Sequence, residues 1–206
     1  MARRSELVSF LTRDAVPWKP WKNSQGTTRE LAIEPPGVDF GREKFLWRIS
    51  SAMIQQNCDF SSFPGYQRIL GLCEGKELVL KLPNAEMAAL RPGETFEFLG
   101  ATAVHAEVPR GPVTDFGVIF DPHKVRASLN VLKFKQAPRS FTLQGRNVFF
   151  FGVSGKVVAS VYPGELIHGL EPGDALRVHE LKNEERVILL EPKATNSLLF
   201  AVELSF

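Results

Sequence analysis

The densest run of chemistry-bearing side chains lies near the start of the chain. Pro17-Trp18-Lys19-Pro20-Trp21-Lys22-Asn23-Ser24-Gln25-Gly26-Thr27-Thr28-Arg29-Glu30-Leu31 gathers indoles, cations, amides and hydroxyls. Aromatic surface beside a few hydrogen-bonding groups suits a small polar ligand, with Trp21, Lys22, Asn23 and Thr27 as its contacts. The same indoles would equally serve to staple the loop to a core, leaving Lys22 in water. A second candidate is the run Leu46 to Met53. Read as a strand it alternates, with Trp47, Ile49 and Met53 on one face and Arg48, Ser50 and Ala52 on the other. Small residues beside one long cation leave room inside a barrel rather than filling it. A guanidinium cannot shed its charge there, so an anion must meet it, supplied by the protein or by a ligand.

Other chemistries find less support. The four histidines, His105, His123, His168 and His179, form no pair at metal-ligand spacing, so no metal and no cofactor is expected. Cys58 and Cys73 fit no spaced metal or redox motif, and Cys73 lies in the apolar run from Ile69, where an inert thiol is expected. With 25 basic and 23 acidic residues the net charge is +2, too balanced for the basic stripe that nucleic acid requires. No segment approaches the roughly 20 apolar residues of a membrane span, and no signal core follows the basic start, so cytoplasmic residence is expected.

The elements that must position these residues read as strands. Phe45 to Ile54, Gln67 to Leu72, Glu77 to Leu82, Thr95 to Leu99, Phe116 to Phe120, Asn147 to Val153, Lys156 to Val161 and Leu198 to Leu204 are short and rich in β-branched or aromatic residues. Helix is expected only at Ala85 to Leu90 and at Pro122 to Ala127. An internal repeat organises the strands: Gly75-Lys76, Leu90, Pro92, Gly93 and Glu94 recur 80 residues later as Gly155-Lys156, Leu170, Pro172, Gly173 and Asp174. Each copy is an apolar strand, a Gly-Lys turn, another strand, and then Leu-x-Pro-Gly-acidic.

That unit resembles the cupin half-barrel, with its Glu-Gly strand end and later Pro-Gly-Asp turn. The resemblance implies an all-β bicupin: two jelly-roll barrels, about 45–121 and about 125–206, with residues 1–44 as strands and loop packed on them. The cupin histidine and glutamate positions fall on Ser61 to Pro64 and Arg68 in the first copy, and on Phe141 to Leu143 and Val148 in the second. None is a metal ligand, and His105 stands one residue from the later histidine position. In this register Arg68 points into the barrel. Either it and Arg48 salt-bridge Asp115, Glu97 or Glu107, or they await a ligand anion.

Across Ala15 to Phe120 the chain resembles the HutD/Ves family more specifically. The likeness is carried by Trp21-Lys22-Asn23, Gly26-Thr27-Thr28-Arg29-Glu30-Leu31, Trp47-Arg48-x-Ser50-x-Ala52, Phe60-Ser61-x-Phe63-Pro64-Gly65-x-x-Arg68, Leu72-x-Glu74-Gly75 and Gly111-Pro112-x-x-Asp115-Phe116. It implies a metal-poor bicupin associated with histidine degradation that binds a pathway metabolite and limits flux. The chain departs from the pattern at Ser24 and Gln25, where the family has glycines, at Gly117, where it has asparagine, and at Tyr66, where an acid is common. A small anionic metabolite, a carboxylate, is the expected partner, held by Trp21, Lys22, Asn23, Thr27, Arg48, Ser50, Ser61, Tyr66, Arg68 and Asp115. A metal-independent isomerase or epimerase using His105 with Asp115 or Tyr66 is the alternative, as is a protein-interaction scaffold. Pairing of two copies as a homodimer stays open.

Overall fold

The computed structural model describes residues 8–21, 23–39, 41–143, 147–164, 166–179 and 185–206. Among them the chain is all β, with one 3-10 turn at Pro83–Ala85 and no α-helix. The first strand is β1 (Val8–Leu11). There follow β2 (Lys19–Pro20), β3 (Gly26–Glu34), β4 (Trp47–Ile54), β5 (Cys58–Asp59), β6 (Gln67–Glu74), β7 (Leu78–Lys81), β8 (Met87–Leu90), β9 (Thr95–Leu99), β10 (His105–Glu107) and β11 (Val113–Phe120). The remainder are β12 (Arg126–Phe134), β13 (Arg139–Leu143), β14 (Asn147–Ser154), β15 (Val157–Tyr162), β16 (Leu166–Leu170), β17 (Ala175–Val178), β18 (Arg186–Pro192) and β19 (Ser197–Ser205).

Two compact units result, one of Val16–Arg126 and one of Ala127–Phe206 with the N-terminal stretch to Ala15. The Val16–Arg126 unit has a six-stranded sheet, β2-β3-β4-β11-β6-β9, and a four-stranded sheet, β5-β10-β7-β8. Its core draws Ile54, Leu70, Leu72, Phe98 and Val113 from the first sheet and Cys58, Leu78, Leu80, Leu90 and Ala106 from the second. The other unit has β1-β17-β14-β19-β12 and β13-β18-β15-β16, around Val148, Phe150, Val157, Ala159, Val161, Ile188, Leu190 and Leu199, with Phe141 against them. The residues before Phe45 are thus shared out: β3 lies inside the six-stranded sheet, while β1 adds an edge strand beside β17.

The 80-residue repeat is written into the backbone. Leu72 N–H donates to Glu94 O at 3.0 Å and Gly93 N–H to Leu72 O at 2.8 Å; in the second copy Gly152 donates to Asp174 O and Gly173 to Gly152 O, each at 2.9 Å. The acidic residue closes each Pro-Gly turn. A Glu94 carboxylate oxygen accepts from Arg91 N–H at 2.8 Å, and Asp174 accepts from Glu171 N–H at 3.0 Å. Gly75 (φ +102°) and Gly155 (φ +69°) sit in the left-handed region, where a side chain would be strained.

All eight expected strands are present, but the two expected helices are not. Met87–Leu90 form β8, in register with β7 from Leu78↔Leu90 to Lys81↔Met87. Met87 is exposed and Leu90 buried, so a period of two describes the segment, and the free edge of β7 outweighs the helical propensity of Met-Ala-Ala-Leu. Residues 122–125 form a turn held by Asp121, which accepts the N–H groups of His123 on its side chain and of Lys124 and Val125 on its carbonyl; β12 begins at Arg126.

Asp174 is buried and takes a second backbone donor, Arg13 N–H at 2.8 Å, whereas Glu94 is exposed. Asp174→Ala is therefore expected to cost about 2–3 kcal/mol in urea unfolding and Glu94→Ala about 1 kcal/mol or less.

Candidate functional site

Strand register decides which side chains share a surface, because residues directly opposite on neighbouring strands project to the same face. On β11, Asp115 lies opposite Ala52 of β4 and Leu72 of β6, Gly117 opposite Ser50 and Leu70, and Ile119 opposite Arg48 and Arg68. On the outer strands Thr28 pairs with Ala52 and Glu30 with Ser50, while Phe98 pairs with Arg68. One face of the six-stranded sheet therefore carries Thr28, Glu30, Arg48, Ser50, Arg68, Asp115 and the bare backbone of Gly117. It is the face that also supplies Leu70, Leu72 and Phe98 to the core.

The two arginines on this face are held differently. Arg48, only 7% exposed, meets Glu30 at 2.7 Å and points a second nitrogen at Ser50 Oγ, 3.4 Å away. Arg68 is half-buried and donates to the backbone carbonyl of Ser61 at 3.2 Å. Its guanidinium lies 4.9, 5.0 and 5.6 Å from the ring centres of Phe98, Phe60 and Phe63, a cation–π cradle. No carboxylate forms an ion pair with it among the described residues. Glu97 is taken by Gln67 at 2.6 Å and Glu107 by Lys81 at 2.6 Å. Burial lowers its pKa to about 10; Asp115 pulls it up and Arg48 pushes it down, and the group stays cationic at neutral pH.

Asp115 is 6% exposed, and one of its oxygens accepts the N–H of Ala52 at 3.1 Å. Burial raises its pKa to about 7, against the opposing pull of Arg68 and of the Ala52 N–H. Beside it, a Cβ built on Gly117 would find nothing nearer than Ser50 Oγ at 4.0 Å. The place a side chain would take at that position is open.

Not every expected contact joins this group. Lys22 lies outside the described residues. Trp21 packs against the core and donates from Nε1 to Thr28 Oγ1 at 2.6 Å. Thr27, opposite Met53, projects to the other face, so the hydroxyl on the polar face is that of Thr28. Asn23 closes its own loop, accepting from Gln25 N–H at 3.1 Å and donating to the Gln25 side chain at 2.6 Å. Ser61 contributes its carbonyl, with its side chain exposed. The Tyr66 hydroxyl is spent on the Phe45 backbone, accepting N–H at 3.1 Å and donating to the carbonyl at 3.0 Å. His105 meets neither Asp115 nor Tyr66. It pairs with Asp59 at 2.6 Å on the exposed side of β10, while its neighbour Ala106 is buried. Among the described residues no three His, Cys, Asp or Glu side chains gather as metal ligands. Glu30 and Thr28 were within reach of sequence reasoning, since both lie in the polar run that opens the chain, but nothing in the sequence says which of them share a face.

The all-β chain has a cupin-like fold: a cupin 2 conserved barrel protein from Leptotrichia buccalis superposes with a TM-score of 0.61 over 97% of each chain at 9% identity. The HutD family model matches residues 13–197, and the chain belongs to that family. An uncharacterized 21.2 kDa protein in the hutC 3' region of Pseudomonas putida is 32% identical over 83% of this chain and 86% of its own length. Protein Ves of Citrobacter koseri is 34% identical over 68% of this chain and 70% of its own. HutD from Pseudomonas fluorescens SBW25, solved in a formate condition, has a TM-score of 0.78 at 28% identity, covering 96% of this chain and 98% of that one. No helix among the described residues is long and apolar enough to cross a membrane.

Because Asp115 holds its proton more tightly folded than unfolded, its contribution to stability is complete below about pH 4 and lost as pH rises through about 7. Between those values wild-type stability should fall with pH by no more than about 1.4 kcal/mol per unit from this group. Asp115→Asn should flatten that slope, read as melting temperatures of the two proteins from pH 4.5 to 8.

Proposed function

We propose that the protein is a non-catalytic binder of a small anionic metabolite, a carboxylate, which it senses inside the Val16–Arg126 unit. The observation that carries this reading is Arg68, a cation on the inner face of a sheet with aromatic rings and one carbonyl for company and no carboxylate. Arg48 supplies the contrast, since its anion is built in as Glu30. Arg68, Ser50, Asp115 and the opening over Gly117 form the binding surface, with Arg48 positioned by Glu30 and Trp21 forming a wall through Thr28. Each unit is read as one cupin barrel, so that the chain is a bicupin with its ligand in the first barrel.

The relatives suggest the setting. One is encoded in the hutC 3' region and another is named HutD, which supports a setting in histidine utilisation. The isomerase alternative has no comparable support, because His105 and Tyr66 are engaged with Asp59 and the Phe45 backbone.

Thermal melts of wild type, Arg68→Met and Glu30→Gln, with and without formate, glutamate, formylglutamate, urocanate and phosphate, test this. Arg68→Met keeps an apolar stem among the rings and strands no carboxylate, so it should cost about 1 kcal/mol, a shift of roughly 2–4 °C. Glu30→Gln removes the partner of a buried arginine and should cost more, about 2 kcal/mol. A carboxylate at a hundred times its dissociation constant should stabilise wild type by about 2.7 kcal/mol and leave Arg68→Met unmoved. A loss of 3 kcal/mol or more in Arg68→Met, with no anion response in wild type, would make the arginine structural and sink the proposal.

A further inference from the structure

The anion site described above carries a buried carboxyl group that a pure anion receptor has no reason to hold. One oxygen of Asp115 accepts the Ala52 N–H; among the described residues the other has neither a hydrogen bond nor an ion pair. The group lies on the same sheet face as Arg68, and Gly117 leaves the strand between their levels without a side chain. On one face of a strand successive residues stand about 7 Å apart, so Asp115 and the level of Arg68 are about 13 Å apart along β11. The long arginine side chain spans part of that interval. An anion of a few atoms resting over Gly117 and held by Arg68 would therefore lie close to the open oxygen of Asp115.

The charges on this face set the terms. Among the described residues, Arg48 on β4 and Arg68 on β6 are balanced by Glu30 on β3 and Asp115 on β11. The facing sheet contributes Cys58 of β5, whose thiol is pushed up to about 11 by burial and by Asp59 and Asp115, and otherwise apolar Leu78, Leu80, Leu90 and Ala106. Cys73, on the reverse of β6, is likewise raised, first by burial and then by Asp115. Phe98 of β9 adds no charge. With Asp115 ionised the face is neutral when empty and carries an excess negative charge once an anion enters. With Asp115 protonated, the anion replaces it as the counter-charge of Arg68.

Resting on the anion-binding reading, we propose that Asp115 makes this a proton-coupled site: an anion binds to Arg68 together with one proton, which Asp115 takes up from solvent and shares as an O–H donor with the ligand. The balance is simple. A carboxylate and a hydrogen ion become a carboxylic acid, no bond of the ligand breaks, and release returns the proton. Occupancy then reports metabolite and pH together. The raised pKa of Asp115, about 7 in the empty site, places the response in the neutral range.

Isothermal titration of the full chain with glutarate, from pH 5.5 to 8.5 in two buffers of different ionisation heat, tests this. The dissociation constant should hold steady below pH 7 and weaken about tenfold per unit above it. At pH 8 the heat should differ between buffers by the amount for uptake of one proton. This readout needs no mutation. Asp115→Asn, its folding checked by its melting curve, should bind with a constant that does not vary over this range and with no buffer-dependent heat. A flat pH profile in wild type, or an Asp115→Asn profile that keeps the wild-type slope, would overturn the coupling while leaving the anion site standing. Failure of wild type to bind glutarate, formate and phosphate at every pH would overturn the anion-binding reading, and the coupling with it.

Discussion

A guanidinium inside a folded chain must be answered by an acceptor, and two of those in the Val16–Arg126 unit, Arg48 and Arg68, share the inner face of the six-stranded sheet. Burying an unpaired ion costs several kcal/mol, and an arginine cannot escape that cost by losing its proton. Arg48 is answered within the sheet: Glu30 on the neighbouring strand reaches it at 2.7 Å and Ser50 stands beside it. Arg68 is answered by π-faces and a carbonyl, which steady a cation without neutralising it. On the same face burial raises the pKa of Asp115 against the pull of Arg68, and Gly117 leaves a position without a side chain.

Much of the frame was legible in the sequence, for a reason that particular residues make plain. Gly75 and Gly155 need positive φ, and Glu94 and Asp174 close the same turn with the same backbone donor. Such requirements are local, so they leave a residue-type signature. The eight legible strands are those rich in Phe, Val, Ile and Leu. Of the strands that went unread, β8, β12 and β16 are sheet edges and β3 is the polar run Gly26–Glu34, whose pairing depends on a partner distant in sequence. Ala85–Leu90 read as helix because its propensity is helical, and only the neighbouring β7 makes it a strand.

The site was legible to the extent that alternation held. Arg48 and Ser50 were placed on one face by counting in twos, and Arg68 and Asp115 share that face in the observed register. On β3, which was not read as a strand, Thr28 and Glu30 alternate onto the polar face and Thr27 onto the other, and a bulge between Glu30 and Ala32 shifts the register beyond them. Asn23 and Tyr66 meet backbone groups in the structure, Asn23 that of Gln25 and Tyr66 that of Phe45, as polar side chains near turns often do.

The repeat also shows what stands in the second copy where the first has Arg68, Asp115 and Gly117. Arg68 and Val148 are separated by the same 80 residues as the turns, and Leu72 corresponds to Gly152. Asp115 lies opposite Leu72 on β6, and Leu199 lies opposite Gly152 on β14, so Leu199 occupies the position of Asp115; two residues on, Ala201 occupies that of Gly117. Val148, Leu199 and Ala201 all belong to the apolar core of their unit. The backbone plan is thus common to both copies, and three substitutions at matching positions replace a cation, a carboxyl and a gap with hydrocarbon. A filled core returns its burial as stability, roughly 25 cal/mol for each Å² of apolar surface removed from water. The copy that keeps Arg68, Asp115 and Gly117 forgoes that return at those positions. On this ground the proposed anion site belongs to the Val16–Arg126 unit, while the second copy packs hydrocarbon at the three matching positions.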